Sequence, residues 1–303
     1  MEDAAASRTA DAAATQAGHR SRAVAYAELT KPRQTALLLA TGVGAYMMSV
    51  APPVEWATFT IGMLALAAAV SGSTALNMVL DRDIDGVMQR THGRPLPARE
   101  VATSRAAAFG IGLSLSGVAA AWGLDPLFGA TVTAGLLLDV VVYTWWLKRR
   151  TAASILIGGI SGGMPALAGR TLAIGSIDAV GLLLAAGVVL WIPAHILTLA
   201  MRHAEEYEAA GVPTWPNVHG ETSTRRLIAV ATTGAAVVLV AAGVLAGIHP
   251  ITLWALVLAG VAIVGLALYA LVRPAERRDW MLFKAASAYM LVAFICLTVG
   301  AVL

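Results

Sequence analysis

The sequence predicts an all-α protein, a polytopic membrane bundle of about nine transmembrane helices around a central cavity. Three observations carry this. Of 303 residues, 58% are hydrophobic and 13% charged, and the mean hydropathy is +0.74, too apolar for a water-soluble globule. Nine apolar stretches occur along the chain, each long enough to cross a hydrocarbon core of roughly 30 Å. The basic residues fall in alternate connections, as a multi-pass topology requires.

The stretch 1–24 is rich in Ala, Ser and Thr, with scattered charges of both signs. It has no apolar core, so it reads as a disordered cytoplasmic tail and not as a secretory signal. The remainder, 25–303, reads as one transmembrane domain. Its apolar segments are 35–52, 56–80, 106–122, 127–147, 152–169, 177–200, 227–247, 251–272 and 285–303. The fifth is glycine-rich and is expected to be broken or short. All the Lys and Arg residues except Arg170 lie before the first segment or after the second, fourth, sixth and eighth. This places the N-terminus and those connections in the cytoplasm, and the C-terminus on the opposite side.

The net charge of +3 does not imply a nucleic-acid partner, because the basic residues sit at segment ends and form no patch. The single Cys296 has no partner for an intramolecular disulfide and reads as a small buried hydrophobe. Trp145, Trp146, Trp191 and Trp254 lie near segment ends and read as interfacial anchors.

Chemistry concentrates at the end of the second segment, in Asn77-Met-Val-Leu-Asp81-Arg-Asp83-Ile-Asp85 followed by Arg90 and Arg94. On a helix, Asn77, Asp81 and Asp85 form one stripe and Asp83 points elsewhere. Acids contribute little to topology, so the connection does more than orient the chain. Clustered hard oxygen donors suit Mg²⁺, which binds few carboxylates and keeps positions for water and phosphate oxygens. Arg90 and Arg94 could grip a phosphate from the far side.

The sixth segment ends in a similar way. Thr198, Arg202 and Glu206 repeat the spacing of Asn77, Asp81 and Asp85, and Glu205, Tyr207 and Glu208 lie alongside. Facing acid clusters could hold metal on both sides of a diphosphate, with Glu206 as a further ligand and Arg202 as a further cation. Lys148, Arg149 and Arg150 stand between the two clusters. Asp139 lies part-way along the fourth segment, where a carboxylate is costly unless it is protonated, paired or facing a wet cavity. It reads as cavity-lining, with Tyr143 on its face. His195 lies above the Arg202–Glu206 stripe and reads as structural or functional with equal weight.

These motifs resemble the UbiA superfamily of intramembrane prenyltransferases. Leu29-Thr-Lys31-Pro-Arg33, Asn77-x3-Asp81-x3-Asp85, Arg94-Pro-Leu, Tyr143-Thr, Lys148-Arg-Arg-Thr151, Gly163-Met-Pro165, Trp191-x-Pro-x-His195, Glu206-Tyr207 and Ala210-Gly-Val-Pro213 are most similar to the protohaem IX farnesyltransferase branch. The resemblance implies transfer of a prenyl group, farnesyl in that branch, from an allylic diphosphate to haem B or another hydrophobic acceptor in the bilayer. It implies that Asn77, Asp81 and Asp85 hold Mg²⁺ and that Arg90, Arg94, Lys148 and Arg149 offset the diphosphate charge. His195 or Tyr207 would orient the acceptor or take up a proton. The chain departs from the family pattern at Asp139, Gly169-Arg170 and Ile196-Leu197. Other acceptors (a quinone precursor or a lipid headgroup), a terpene cyclase and, from another class, a transporter remain alternatives.

Overall fold

The computed structural model describes residues 21–50 and 53–303, so most of the expected tail lies outside it. Among the described residues all regular structure is helical. Helix α1 (Arg22–Leu29) is short and already includes the last residues of the stretch expected to be a tail. Its Ser21 cap accepts from the Val24 N–H. It buries Ala25 and Leu29 against Ala75, Met78, Leu96 and Val101, and so packs on the end of the bundle. The bundle itself comprises α2 (Pro32–Met47), α3 (Trp56–Leu80), α5 (Thr103–Leu124), α6 (Pro126–Leu137), α7 (Ser154–Ile174), α8 (Ala179–Ile192), α10 (Trp215–Leu245), α11 (Pro250–Val272) and α12 (Glu276–Val302). Two short helices, α4 (Arg82–Val87) and α9 (Ala204–Ala209), sit at one end.

Seven of these spans are long and apolar enough to cross a membrane. The other two bundle members fall short for visible reasons. Helix α2 has 16 residues, and α7 is rich in glycine and carries Arg170. Counting both, the described bundle has nine long helical elements, of which seven qualify as spans, against about nine that the hydropathy pattern predicts. Some boundaries differ. Helices α10 and α12 begin at Trp215 and Glu276, well before their apolar segments, because their polar first turns extend beyond the apolar belt. Helix α10 is kinked at Gly220, where φ is 77°.

Helix α7 is continuous over 21 residues and includes Pro165; it is not the broken segment that its composition suggests. Its glycines serve close packing. A Cβ on Gly169 would stand 2.0 Å from the Gly42 carbonyl oxygen on α2, and one on Gly158 would stand 2.2 Å from the Tyr143 ring. Small residues let backbones approach where lipid supplies no hydrophobic drive between helices. The main core joins buried residues of α7, α8, α10, α11 and α12, including Leu184, Val188, Leu239, Leu256 and Leu297. A second cluster joins α3, α5, α6 and α7 around Phe128.

Gly169→Ala is therefore expected to destabilise the protein by about 1–3 kcal/mol, the scale of overpacking. Gly265→Ala, where nothing lies within 4 Å of the added carbon, serves as the control. Thermal melting in detergent checks both; equal melting of the two variants would refute the close-packing role.

Candidate active site

A cavity of about 500 Å³ opens at the end of the bundle that carries α4 and α9. Its inner wall is apolar, formed by residues such as Leu66, Val132, Met164 and Ile192. Its rim and upper wall carry Lys31, Asn77, Asp81, Asp85, Arg90, Arg94, Asp139, Tyr143, Lys148, His195 and Tyr207.

The first acidic stretch makes a corner. Helix α3 ends at Leu80, Asp81 leaves helical geometry with φ −94° and ψ 3°, and α4 starts at Arg82. The Asp81 N–H still bonds to the Asn77 carbonyl, and the Asp85 N–H to the Asp81 carbonyl. The stripe of Asn77, Asp81 and Asp85 therefore survives the corner and faces the cavity. Asp83 turns outward onto Arg149, with bonds of 2.6 and 2.7 Å, and that guanidinium pulls its carboxyl down to about 2. Arg149 also donates to the Leu80 carbonyl. Expected at the diphosphate, it is instead tied to the outer side of the corner and does not line the cavity. Arg94 Nη1 donates to both oxygens of Asp85 at 2.8 and 2.7 Å.

The opposing wall depends on a helix distortion. After Leu137, helix α6 continues as a π-helix over Leu138–Leu147, whose i→i+5 bonds take an extra residue into each turn. On an α-helix, positions 139 and 148 are two and a half turns apart and face opposite ways. The wider winding puts Asp139, Tyr143 and Lys148 on one wall of the cavity. Lys148 Nζ reaches Asp81 Oδ2 at 2.5 Å. Below it, Ser73 Oγ and Asn77 Nδ2 both donate to Asp139 Oδ2, at 2.7 and 2.9 Å. The Thr144 hydroxyl lies 2.8 Å from Asn77 Oδ1 and 2.9 Å from the Asp139 carbonyl oxygen.

The second acidic stretch also makes a corner. Helix α8 passes through a π-turn at Pro193–Leu197 and a helical turn at Thr198–Arg202, then breaks at His203 before α9. This matches the break at Asp81 in kind, one position out of the sequence register. Glu206 accepts from the Arg90 N–H at 3.2 Å and bonds His203 at 2.7 Å, which holds its carboxyl below the usual range. Tyr207 and Val212 pack against Ile84 and Met88. The two acidic corners therefore meet across the cavity mouth. Arg202 does not join them. Its guanidinium lies 4.4 Å from the Trp280 ring centre and 3.9 Å from Glu276, in a separate polar pocket. The π-turn rotates it out of the register that an unbroken helix would give.

His195 is clamped between rings, stacked on Trp191 at 4.9 Å and Phe283 at 4.5 Å, with Nδ1 3.2 Å from Ser287 Oγ. Trp191 donates to the Ala286 carbonyl. It is a packed cavity residue and not an interfacial anchor, whereas Trp145, Trp146 and Trp254 are exposed as expected.

The donors fit a hard cation in part. Asp81 Oδ1 is buried and, among the described residues, has no hydrogen-bond partner. An orphaned carboxylate oxygen in a polar pocket is a vacant ligand, and Asp85 stands one turn further on. Asn77 and Glu206, expected as ligands, are both engaged elsewhere. Among the described residues no group of three or more His, Cys, Asp or Glu is arranged for a metal. Among the described residues Asp81 and Asp85, the latter now paired with Arg94, are the rim carboxylates that line the cavity, a number Mg²⁺ accepts when substrate oxygens and water complete its shell.

Sequence reasoning did not place Lys31 in the site. It precedes Pro32, the first residue of α2, and adopts φ 44°, ψ 65°. Proline bars its predecessor from the right-handed helical region, and strained backbone of this kind gathers at functional sites. Lys31 has no acid within 4 Å among the described residues. Burial, with Arg94 and Lys148 nearby, pulls its pKa down to about 8. The Lys31-Pro32 dipeptide beside a cation-rich rim was the available signal.

A model of the UbiA prenyltransferase family matches residues 37–295. Protoheme IX farnesyltransferase of Desulforudis audaxviator is 37% identical over 295 residues, covering 95% of this chain and 91% of that protein. A structure described as digeranylgeranylglyceryl phosphate synthase superposes with a TM-score of 0.78 at 16% identity, over 93% of this chain and 99% of that one. A UbiA homolog from Archaeoglobus fulgidus bound to DMAPP and Mg²⁺ gives 0.69 at 14%, over 90% and 99%. These matches set the transporter reading aside: the chain is a membrane-embedded enzyme belonging to the UbiA prenyltransferase family.

Proposed function

We propose that the protein transfers a farnesyl group from farnesyl diphosphate to a vinyl group of protohaem IX, on the cytoplasmic side of its membrane. The observation that carries this reading is one cavity with a rim of Lys31, Asp81, Asp85, Arg90, Arg94 and Lys148 above an apolar inner wall. That polarity suits a diphosphate at the mouth and an isoprenoid tail within. The names of the curated relatives support the acceptor. The distribution of basic residues supports the cytoplasmic placement.

Asp81 and Asp85 would hold Mg²⁺, which supplies charge neutralisation on the departing diphosphate. Lys31 and Lys148 donate to its oxygens from two sides, and Arg94 exchanges Asp85 for a phosphate oxygen. Arg90 closes the mouth, where its N–H already ties the first corner to Glu206. The C–O bond of the allylic diphosphate breaks, and the electron pair leaves with the diphosphate. The vinyl π-pair forms the new C–C bond. Water then captures the cation on the acceptor and loses its proton to solvent, giving a hydroxyethylfarnesyl group. The apolar wall keeps water from the allylic carbon until that bond has formed. His195, fixed between two rings, positions the acceptor's planar face, and Tyr207 borders the entrance.

Incubation with Mg²⁺, farnesyl diphosphate and haem B, followed by chromatography and mass spectrometry, is expected to give hydroxyethylfarnesyl haem. Diphosphate release with unmodified haem would overturn the acceptor. Failure to consume any allylic diphosphate would overturn the chemistry. Asp81→Asn is expected to lower turnover by roughly 100-fold or more, the scale for removing support of a developing anion, with the protein still folded in membranes. Near-normal turnover would refute its metal role.

Lys31 adds a pH signature. Its ammonium binds the diphosphate and is lost as pH rises through about 8. The kcat/KM for the diphosphate, which reports the free enzyme, should therefore fall above that pH, while kcat holds because the bound anion keeps the lysine charged. Lys31→Met should raise KM by roughly tenfold or more, as expected for a charge-assisted hydrogen bond, and remove the inflection. Lys31→Arg should remove the inflection with smaller loss. An unchanged profile in Lys31→Met would exclude Lys31 from the site.

A further inference from the structure

The cavity contains three carboxylates, and two of them are matched by cations. Asp81 pairs with Lys148 and Asp85 with Arg94. Asp139 is different. Its partners are the neutral Ser73 hydroxyl and Asn77 amide, both on Oδ2, and among the described residues no Lys, Arg or His lies within 4 Å of it. The residue lines the cavity. A carboxylate at that depth in a membrane protein is costly and marks function by default. Both hydrogen-bond donors to it are neutral, and among the described residues no cation is bonded to it.

Its position indicates the charge it serves. Asn77 lies on α3 one helical turn, about 5.4 Å, deeper than Asp81. Asp139, bonded to Asn77, is therefore on the membrane side of the rim that receives the diphosphate. The bond that breaks joins the diphosphate, held at the rim, to the first carbon of the tail, held within. We infer that Asp139 is the counter-charge of the allylic cation. When the C–O bond breaks, the electron pair leaves with the diphosphate towards Lys31, Arg94 and Lys148. The positive charge left on the allyl group faces the Asp139 carboxylate. No bond forms to Asp139; the charge is discharged when the acceptor's electron pair bonds to the allylic carbon. The π-helix makes the arrangement possible by putting Asp139 and Lys148, which act on opposite charges, on one wall. The inference rests on prenyl transfer and not on the identity of the acceptor.

The test is steady-state kinetics of full-length Asp139→Asn and Asp139→Glu with Mg²⁺, farnesyl diphosphate and haem B. Binding of the non-hydrolysable thiolodiphosphate analogue is measured alongside. Asp139→Asn, which preserves shape, is expected to lower kcat by about 100-fold, the scale of a lost transition-state electrostatic contact. It should bind the analogue as tightly as wild type or more tightly, because a negative charge near the diphosphate is gone. Asp139→Glu should recover part of the rate. Ser73→Ala, which keeps the carboxylate but removes one of its donors, should lower kcat less than Asp139→Asn does. A kcat for Asp139→Asn close to wild type would overturn the inference. So would analogue affinity falling in step with kcat, which would make Asp139 a prop for Asn77. Wild-type protein that releases no diphosphate would refute prenyl transfer itself; an active wild type with an unaffected Asp139→Asn would refute only this inference.

Discussion

The contact between Lys148 and Asp81 joins the two walls of the site. It ties the end of α3 to the end of the π-helix, which share no covalent connection shorter than two transmembrane passes. Both side chains are largely buried. Breaking such a pair by removing one partner costs about 3–5 kcal/mol, because the other charge is left without a partner. A pair of that kind is poor value as a source of stability, but it fixes geometry. It occupies Asp81 Oδ2 and leaves Oδ1 vacant. It also brings a cation to the place where an anion must leave. The neighbouring pairs, Arg94 with Asp85 and Arg149 with Asp83, keep the corner in shape.

The fold was largely legible. Hydropathy gave most of the spans, and the alternation of basic residues argued for about nine, where seven helices are long and apolar enough to cross. The composition of α7 misled, since glycine signals either a break or a close approach. Only the packing partner, Gly42 against Gly169, distinguishes the two. Boundaries failed where helices run on past the apolar belt, as at Trp215 and Glu276. Nothing in hydrophobic periodicity marks where a helix already in water ends.

The site was legible as a composition and less so as a geometry. Asp81, Asp85, Arg90, Arg94, Lys148, His195, Tyr143 and Tyr207 all border one cavity. Arg202 and Arg149 do not, and Asn77, which lines the same cavity, engages its amide with Asp139 and Thr144. The cause is local. Spacing arguments assume 3.6 residues per turn, and the two segments that carry chemistry, 138–147 and 193–197, are wound as π-helix. Within them an α-helical register assigns faces wrongly. Lys31, noted only as part of the Leu29–Arg33 motif, was not placed at the site for a different reason. Its position depends on a left-handed residue before a proline, and a sequence read for charge alone gives that no weight.

The winding also orders the charges along the cavity axis. From the mouth inward come the cations of the rim, then a lone carboxylate, then apolar wall. An allylic diphosphate in flight is a dipole with its negative end at the leaving oxygens and its positive end on the hydrocarbon. Uniform positive charge would bind the substrate well but would oppose the cation as it forms, so ground state and transition state would gain unequally in the wrong sense. A cation rim backed by Asp139 follows the dipole instead. Preorganised charges act most strongly where water is excluded, and the inner wall of the cavity is apolar. The Ser73, Asn77 and Thr144 bonds, all made by neutral groups, keep Asp139 in place without cancelling its charge. A salt bridge at the same position would have been easier to accommodate in a membrane, and would have left the forming cation unsupported.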